Sequence, residues 1–301
     1  MHYDTIIIGG SFAGLSAAIY LARARKSVCV VDTGMPRNRF AAESHGFFAQ
    51  DGSDPKLMLD TMRQQVAAYP TVSFINDAAV DAFREDGRFL VALQRGAVVT
   101  AKRLLLAFGI SDILPETPGL AEHWGASVIH CPYCHGYEFS GQQLGVLNVS
   151  PMSHHQAILI SEWGPTTFYL DGKHLDEDAS NALAQRGIRI EPAAVERLVG
   201  DGRNLSELRL WANQTRPVDA LFISPRNRLN SSIAEQLGCE IETGPLGSTI
   251  KVDQMQMTSV TDVYAAGDIT RMAHNVTFAC ADGVMAAMAV HRSLVFDGTM
   301  S

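Results

Sequence analysis

The chain has 301 residues, of which 47% are hydrophobic, and its formal net charge is −8. This length and apolar content suffice for a large core and predict two domains, or one domain with an insert. A net negative charge does not indicate the basic surface that a nucleic-acid-binding protein needs. No apolar run reaches the roughly 18 residues that a membrane-spanning helix requires. We therefore expect neither nucleic acid nor a membrane as a partner.

The N-terminus enters a strand pattern at about Tyr3, which leaves no room for a signal peptide, and we expect a cytoplasmic protein. In a reducing compartment five cysteines do not form a structural disulfide framework, and a close pair is more typical of catalysis or metal binding. The isolated cysteines, Cys29, Cys239 and Cys280, are interpreted as buried or incidental thiols.

The N-terminal region has the pattern of a dinucleotide-binding βαβ unit. Residues 3–8 form a continuous apolar strand, followed by a glycine turn, an alanine-rich helix and a second strand that ends at Asp32. In such a unit the helix N-terminus faces a pyrophosphate and the acid accepts hydrogen bonds from a ribose. Ser11 departs from the fingerprint, because a glycine there allows the closest approach to phosphate. The predicted cofactor-binding residues of this unit are Gly9, Ser11, Phe12, Ala13, Gly14 and Asp32.

The rest of the chain predicts a second domain inserted into the first. Residues 71–107 alternate like short antiparallel strands, and a second α/β pattern runs from about 116 to 245. Past 246 the chain returns to a buried strand and a long helix over 276–294. We predict an α/β fold of two Rossmann-like, three-layer ββα nucleotide-binding domains. The first comprises residues 1–113 and 246–301, and the second comprises residues 114–245.

The most informative segment is Cys-Pro-Tyr-Cys-His-Gly-Tyr-Glu at residues 131–138. Cysteines at this spacing can close and open a small disulfide ring, and a nearby flavin could supply or remove two electrons. The same pattern attaches c-type haem, but that chemistry normally requires export. A zinc site would need two further ligands at suitable spacing, which the sequence does not offer, and no metal ligand is predicted. The segment therefore indicates a flavin-dependent dithiol/disulfide enzyme.

The order and spacing of these pieces resemble low-molecular-weight thioredoxin reductases over essentially the whole chain. The resemblance rests on Gly9–Gly14, Asp32, Ala107-Phe108-Gly109, the Cys131/Cys134 pair and Ala266-Gly267-Asp268. Segments 44–46, 131–138 and 150–157 are similar to the branch of FAD-dependent dithiol oxidases that close disulfides in natural products such as gliotoxin and holomycin. The resemblance implies bound FAD and a homodimer.

The resemblance also implies residue roles around the flavin. Gly109, Gly267 and Asp268 would contact it, with Asp268 reaching the ribityl chain. Asn275 and Val276 would contribute backbone contacts at the pyrimidine edge.

The resemblance gives the two cysteines different roles. Cys134 would face the flavin and Cys131 would meet the substrate, with the pair opening a helix that lowers a thiol pKa. His135 occupies the position of an acid–base aspartate in thioredoxin reductases. An imidazole can take a thiol proton near neutral pH, and we therefore predict a catalytic role for His135.

The inserted domain departs from thioredoxin reductases at the nicotinamide site. Residues 148–153 contain no glycine where the family has a second glycine turn, and Pro151 removes a backbone N–H. Asp171-Gly172-Lys173-His174 replaces the arginine cluster that binds the 2′-phosphate of NADPH. We predict a dithiol oxidase that passes electrons from a small dithiol to FAD and oxygen, without physiological NADPH use. Two alternatives remain, a reductase of a thioredoxin-like protein fed by NAD(P)H or ferredoxin, and a redox-sensing flavoprotein with little turnover.

Overall fold

A computed structural model describes residues 2–297 of the chain. Short 3-10 helices cover Arg37–Phe40, Tyr137–Phe139 and Trp211–Asn213. The α-helices are α1 (Phe12–Arg23), α2 (Pro55–Ala67), α3 (Leu120–His123), α4 (Pro132–His135), α5 (Ser153–Ile160), α6 (Glu177–Gln185), α7 (Ile233–Gln236) and α8 (Val276–Val295).

The strands lie between these helices, singly or in runs of several. They are β1 (His2–Ile8), β2 (Val28–Asp32), β3 (Val72–Asn76), β4 (Ala79–Glu85), β5 (Arg88–Leu93), β6 (Val98–Leu106), β7 (Ile110–Ile113), β8 (Val128–Ile129), β9 (Leu144–Leu147), β10 (Thr166–Tyr169), β11 (Arg189–Glu191), β12 (Val195–Asp201), β13 (Asn204–Leu210), β14 (Gln214–Pro217), β15 (Ala220–Phe222), β16 (Arg226–Leu229), β17 (Ile241–Gly244), β18 (Gly247–Ile250) and β19 (Val263–Ala265).

The chain divides into two compact units. Unit 1 comprises the residues up to Arg39, Lys56–Ser111 and the residues from Arg228 onward, and unit 2 comprises Phe40–Pro55 and Asp112–Asn227. The boundaries differ from the predicted 1–113, 114–245 and 246–301 in two places. The chain returns to unit 1 at Arg228 rather than at 246, because side chains of the intervening segment complete the core around β1 and β2. The buried members of that segment are Ile233, Ala234 and Cys239.

The second difference is that Phe40–Pro55 belongs to unit 2. Phe40 lies against Gly125, where an added Cβ would come within 2.5 Å of the Phe40 Cβ. The guanidinium of Arg203 donates hydrogen bonds to the carbonyl oxygens of Phe40 and Trp124. These contacts join residues that are far apart in the chain, which composition and periodicity do not reveal.

Unit 1 contains a parallel sheet with the strand order β3-β2-β1-β6, extended by β19 alongside the second half of β6. The first half of β6 pairs antiparallel with β5, and β5 pairs antiparallel with β4. The prediction of antiparallel strands over 71–107 is therefore wrong for β3, which pairs parallel with β2, Val72 opposite Val28.

The two faces of this sheet bury different side chains. Ile6 and Ile8 of β1 pack with the β4–β6 strands, whereas Ile7 points to the opposite face and packs with α1 and α8. Such alternation follows from the two-residue period of a strand. Burying one such side chain contributes about 1.5–3 kcal/mol. Helix α8 is apolar and long enough to cross a membrane by length and composition alone, and its Ala286 and Val290 are buried in this core.

Unit 2, like unit 1, has three layers: helices, a parallel sheet and a layer of antiparallel strands. Its parallel sheet has the order β11-β10-β9-β15-β8, and an antiparallel sheet of β12, β13 and β14 forms a separate layer. Val146 of β9 packs with α5 and α6 on one face, and Leu147 packs with the antiparallel layer on the other. The predicted α/β fold with two Rossmann-type sheets is confirmed.

Candidate active site

The glycine turn after β1 is a close-packed bend in unit 1. Gly9 has a φ of +110°, and an added Cβ would lie 2.1 Å from the carbonyl oxygen of Ala107. A Cβ on Gly14 would lie 1.9 Å from the carbonyl oxygen of Gly9. Both positions therefore require glycine, since backbone atoms cannot move aside.

The first turn of α1 is arranged to receive an anion. In the described part of the chain, the Ser11 side chain at the N-cap makes no capping hydrogen bond. The backbone N–H groups at this helix start therefore have no competing side-chain acceptor from their N-cap. Asp32 accepts the backbone N–H of Gly10 at 3.0 Å, and its other oxygen lies 3.5 Å from the guanidinium of Arg63. The uncapped helix start, the close turn and the terminal acid together fit the pyrophosphate and ribose of a dinucleotide.

The structure brings Gly109 and Gly267 to the same end of the sheet as this turn. Gly109, with a φ of +69°, follows β6, and its carbonyl accepts the backbone N–H of Asn230 at 3.1 Å. Gly267 follows β19 with a φ of +84°, and a Cβ there would lie 3.0 Å from the Cβ of Ala13. Asp268 forms an ion pair of 3.1 Å with Arg37, a partner that sequence analysis missed.

Asn275 and Val276 lie at the start of α8. The Asn275 side chain accepts the backbone N–H of Phe278 at 2.7 Å and so caps this helix. Capping engages the side-chain oxygen of Asn275, and the flavin contact predicted at this position is made by backbone atoms. That contact stays a prediction.

The cysteine pair lies in unit 2, at the start of the single-turn helix α4. Cys131 and Cys134 form a disulfide, with their Cα atoms 5.3 Å apart. Cys131 is the N-cap, and its sulfur accepts the backbone N–H of Cys134 at 3.2 Å. Tyr133, between the cysteines, is 73% exposed and meets Trp163 edge to face with ring centroids 5.9 Å apart.

His135 is partly buried and lies beside a second histidine. Its ring meets that of His45 edge to face with centroids 6.0 Å apart, and both rings lie near Glu138. Burial has the largest effect on the pKa of His135 and lowers it, Glu138 opposes this effect, and His45 lowers it further. The imidazole is therefore neutral at neutral pH and able to accept a proton.

Sequence analysis missed His45 and Glu138 as neighbours of His135. Ser44-His45-Gly46 and the glutamate of the 131–138 segment had been noted only for their resemblance to the dithiol oxidase branch. His45 comes close to His135 and Glu138 because the segment Phe40–Pro55 packs within unit 2.

The turn after β9 differs from the turn after β1. The side-chain oxygen of Ser153 accepts the backbone N–H groups of Val149 and Ser150, each at 3.1 Å. Ser153 itself is fully buried. The N–H groups that a phosphate would use at this turn are therefore bound by the protein's own hydroxyl.

Asp171, at the end of β10, also has partners within unit 2. Its φ is +56°, and its carboxylate accepts the backbone N–H of Val195 at 3.0 Å and pairs with Lys173 at 3.2 Å. Lys173 in turn donates to the carbonyl of Asn148 at 2.7 Å. The ammonium group thus bridges the ends of β9 and β10.

The remaining cysteines have the properties of buried thiols. Cys29 and Cys239 are buried and Cys280 is partly buried, and all three are free. Burial raises the pKa of Cys29 to about 11 and raises those of Cys239 and Cys280. Such thiols carry little thiolate at neutral pH and are poor nucleophiles.

A family model described as pyridine nucleotide-disulphide oxidoreductase matches residues 3–288, and the chain belongs to this family. The fold, the glycine turn and the disulfide define it as a thioredoxin reductase-like, FAD-dependent thiol/disulfide oxidoreductase. The expected class of enzyme and its FAD cofactor are thereby confirmed.

Similar proteins cover nearly the whole chain. Thioredoxin reductase tcpT of Claviceps purpurea (strain 20.1) is 30% identical over 307 residues, covering 98% of this chain and 95% of its own. The crystal structure of an oxidoreductase from Agrobacterium tumefaciens has a TM-score of 0.93 and 43% identity, covering 99% of this chain and 100% of that one. The crystal structure of HlmI has a TM-score of 0.94 and 35% identity, covering 99% and 94%.

Proposed function

We propose that the protein is a dithiol oxidase that closes a disulfide in a small-molecule dithiol without physiological use of NADPH. The observation that carries the proposal is the contrast between the two turns. Neither helix start is capped by the side chain of its N-cap residue, and in each turn one N–H is bound by the protein, that of Gly10 by Asp32 and that of Val149 by Ser153. At the second turn Ser153 also accepts the N–H of Ser150, for which the described residues show no counterpart at Ser11. We infer that a phosphate can approach the first turn and that Ser153 obstructs the second.

The disulfide supplies the chemistry for two exchange steps. A substrate thiolate attacks the sulfur of Cys131, the Cys131–Cys134 bond breaks, and Cys134 leaves as a thiolate. The second substrate thiol then attacks the mixed disulfide, which releases the cyclised product and a Cys131 thiolate. The N–H of Cys134 stabilises that leaving thiolate, since it already donates to the Cys131 sulfur. FAD, when bound, would supply a two-electron acceptor for the reduced Cys131/Cys134 pair, with oxygen as the proposed terminal acceptor and hydrogen peroxide as its product.

His135 directly follows Cys134, and we infer that it moves the protons. Its lowered pKa keeps the ring neutral, so that it can take a proton from an attacking substrate thiol. Two protons and two electrons leave the dithiol for each disulfide formed. His135 accepts these protons one at a time and releases them to solvent.

Nicotinamide use is opposed by charge as well as by hydrogen bonding. From the resemblance to NADPH-dependent relatives we infer that Asp171 takes the place of a phosphate-binding residue, and its carboxylate would weaken phosphate binding even though Lys173 pairs with it. Its pairing with Lys173 and Val195 fixes it at the strand end. The inserted unit then serves as a scaffold for the disulfide.

The partners follow from the same site. The exposed ring of Tyr133 offers an apolar surface to a small dithiol, and a thioredoxin-like protein is the alternative substrate. Relatives named thioredoxin reductase support the alternative, and the similarity to HlmI supports the small dithiol. We expect a homodimer in the cytoplasm, where the three free thiols remain reduced.

The proposal is tested by anaerobic titration of the flavin-loaded protein. Dithiothreitol, NADPH and NADH are added separately while the visible band of oxidised flavin is followed. Bleaching by dithiothreitol alone, with peroxide formed on return to air, is the expected result. Rapid bleaching by a nicotinamide would instead establish a disulfide reductase. Bleaching by dithiol without sustained turnover in air would favour a redox sensor.

A further inference from the structure

Two histidines and one carboxylate converge beside the redox pair in unit 2, and a second carboxylate, that of Glu43, lies against His45. The nearest ligating atoms of His45, His135 and Glu138 all lie within 4.8 Å of one another. The Nε2 atom of His45 lies 3.4 Å from a Glu43 oxygen and 3.5 Å from a Glu138 oxygen. These separations are longer than hydrogen bonds of normal geometry, so the groups face one another without a tight direct bond.

The separations suit tetrahedral coordination. Zinc bonds to imidazole nitrogen and carboxylate oxygen are about 2.0–2.2 Å, which places neighbouring ligand atoms about 3.3–3.5 Å apart. The two separations from His45 Nε2 agree with this value. The ligating nitrogen of His135 lies within 4.8 Å of the ligating atoms of His45 and Glu138, and its side chain would have to move to close any gap beyond about 3.3–3.5 Å. Two imidazoles and two carboxylates are a ligand set that Zn²⁺ accepts.

The surroundings of His45 include a carboxylate suited to orient the ring. Its Nδ1 atom lies 3.6 Å from Asp51, whose carboxylate is itself fixed by the backbone N–H of Gly46 at 2.8 Å. This separation is also longer than a hydrogen bond, so Asp51 reaches the supporting position usual at zinc sites, a carboxylate on the far nitrogen of the histidine, only by closing that gap when the metal binds. The His45 side chain is only 17% exposed, whereas that of Glu43 is 61% exposed and leaves an approach from solvent.

Charge also favours a cation at this point. Three carboxylates, from Glu43, Asp51 and Glu138, lie within 3.6 Å of a His45 ring nitrogen, so negative charge collects around this ring. A divalent cation bound between Glu43 and Glu138 would balance the charge of both.

We propose that His45, His135, Glu138 and Glu43 form a reversible Zn²⁺ site, with Asp51 as the carboxylate that orients His45. Binding at this site has a consequence that rests on the proposed function. A His135 nitrogen that ligates zinc has no lone pair for a substrate proton, so that Zn²⁺ inhibits dithiol oxidation and a chelator restores it.

Binding is tested on the oxidised, tag-free, flavin-loaded protein, whose disulfide offers no thiolate to the metal. The protein is freed of metal with a chelator and titrated with Zn²⁺ in competition with a chromophoric indicator. We expect one site per chain, lost in His45→Ala and in Glu138→Gln. The matched control is His154→Ala, which alters another histidine pair whose rings lie 4.0 Å apart and leaves this site intact. Equal binding by wild type and His45→Ala, or loss of binding in His154→Ala, would overturn the site.

A finer variant protects the test against loss of folding. Asp51→Asn removes only the orienting charge and should weaken Zn²⁺ binding roughly 10-fold to 100-fold. Flavin content and melting temperature of each variant confirm that it is folded. Unchanged affinity in folded Asp51→Asn would contradict the role of Asp51.

Inhibition is measured separately, with free Zn²⁺ set by a metal buffer because dithiols chelate zinc. Inhibition that follows the binding curve, and shifts with it in Asp51→Asn, supports the consequence. Binding without inhibition would overturn the inhibitory consequence and leave the site standing. Binding to a protein that oxidises no dithiol would refute the proposed function alone.

Discussion

The side-chain oxygen of Ser153 lies 3.1 Å from the backbone nitrogen of Ser150 and accepts its hydrogen bond. The same oxygen accepts the N–H of Val149, so one hydroxyl takes both donors of the turn. A phosphate entering this turn would have to displace the buried Ser153 hydroxyl from both N–H groups.

Removing that hydroxyl should lower stability without creating nicotinamide activity. Ser153→Ala leaves the N–H groups of Val149 and Ser150 unpaired, at a cost of about 1–3 kcal/mol in the free energy of unfolding. Flavin reduction by NADPH should remain absent, because Pro151 and Asp171 are unchanged. Denaturant unfolding and anaerobic titration check the two results. A variant that is reduced rapidly by NADPH would show that Ser153 alone closes the site.

Substitution of the redox cysteines should separate their roles. Cys134→Ser leaves Cys131 without its partner, so an activated disulfide of the substrate should form a stable adduct on Cys131. Turnover should fall by at least roughly 100-fold in Cys131→Ser and in Cys134→Ser, since neither can close the disulfide. Mass spectrometry locates the adduct, and Cys280→Ser is the matched control with normal activity. An adduct that resolves in Cys134→Ser would point to another resolving thiol.

Replacing His135 should remove a pH dependence as well as activity. His135→Gln should lower kcat/KM for the dithiol roughly 10²-fold to 10⁴-fold, the usual contribution of a general base. Since burial lowers the pKa of His135, the neutral ring persists at neutral pH and wild-type activity should fall only under more acidic conditions. That acidic limb should be absent from the variant. The profile is measured with a chelator present, and an unchanged limb in His135→Gln would assign it to another group.

The free thiols should resist alkylation in the folded protein. With the disulfide intact, an alkylating reagent at pH 8 should leave Cys29, Cys239 and Cys280 largely unlabelled, because burial raises their pKa values. Reduction should expose Cys131 and Cys134 alone to rapid labelling. Peptide mapping reports each site, with denatured protein as the positive control. Rapid labelling of Cys29 before reduction would contradict its burial.

The turn after β1 should require glycine at position 9 because there is no room for a Cβ there, and not only because of the positive φ. Gly9→Ala places a Cβ 2.1 Å from a backbone oxygen and should abolish FAD binding or folding. Gly34→Ala is a matched control, since Gly34 also has a positive φ, of +73°, but an added Cβ would meet nothing within 4 Å. It should cost only about 1–2 kcal/mol. Flavin retained per chain distinguishes the two, and equal retention would show that the close approach at Gly9 is not needed.

Local sequence patterns predict most of the helices and strands. The apolar run at Ile6–Ile8, the glycine turn and the buried strand before Gly267 each follow from short-range periodicity and turn chemistry. The disulfide partners were visible because they lie three residues apart in the chain. Strand β3 was assigned the wrong orientation, because alternation alone does not distinguish a parallel edge strand from a member of a hairpin.

Contacts between distant segments could not be predicted in the same way. His45 reaches His135 only because Phe40–Pro55 packs within unit 2, and no local signal marks that placement. The capping by Ser153 depends on the shape of its loop. The absence of glycine from residues 148–153 predicted a degenerate nucleotide-binding turn. That the Ser153 hydroxyl occupies this turn is visible only in the structure.

The order of segments along the chain has a consequence for synthesis. Gly9 and strand β6 are synthesised well before Gly267 and strand β19, which pairs with β6. A nascent chain on the ribosome therefore cannot complete the flavin cradle until the segment containing Gly267 has emerged. Prematurely terminated chains should be colourless, and yellow colour in an expressed sample should mark molecules that were made beyond Gly267.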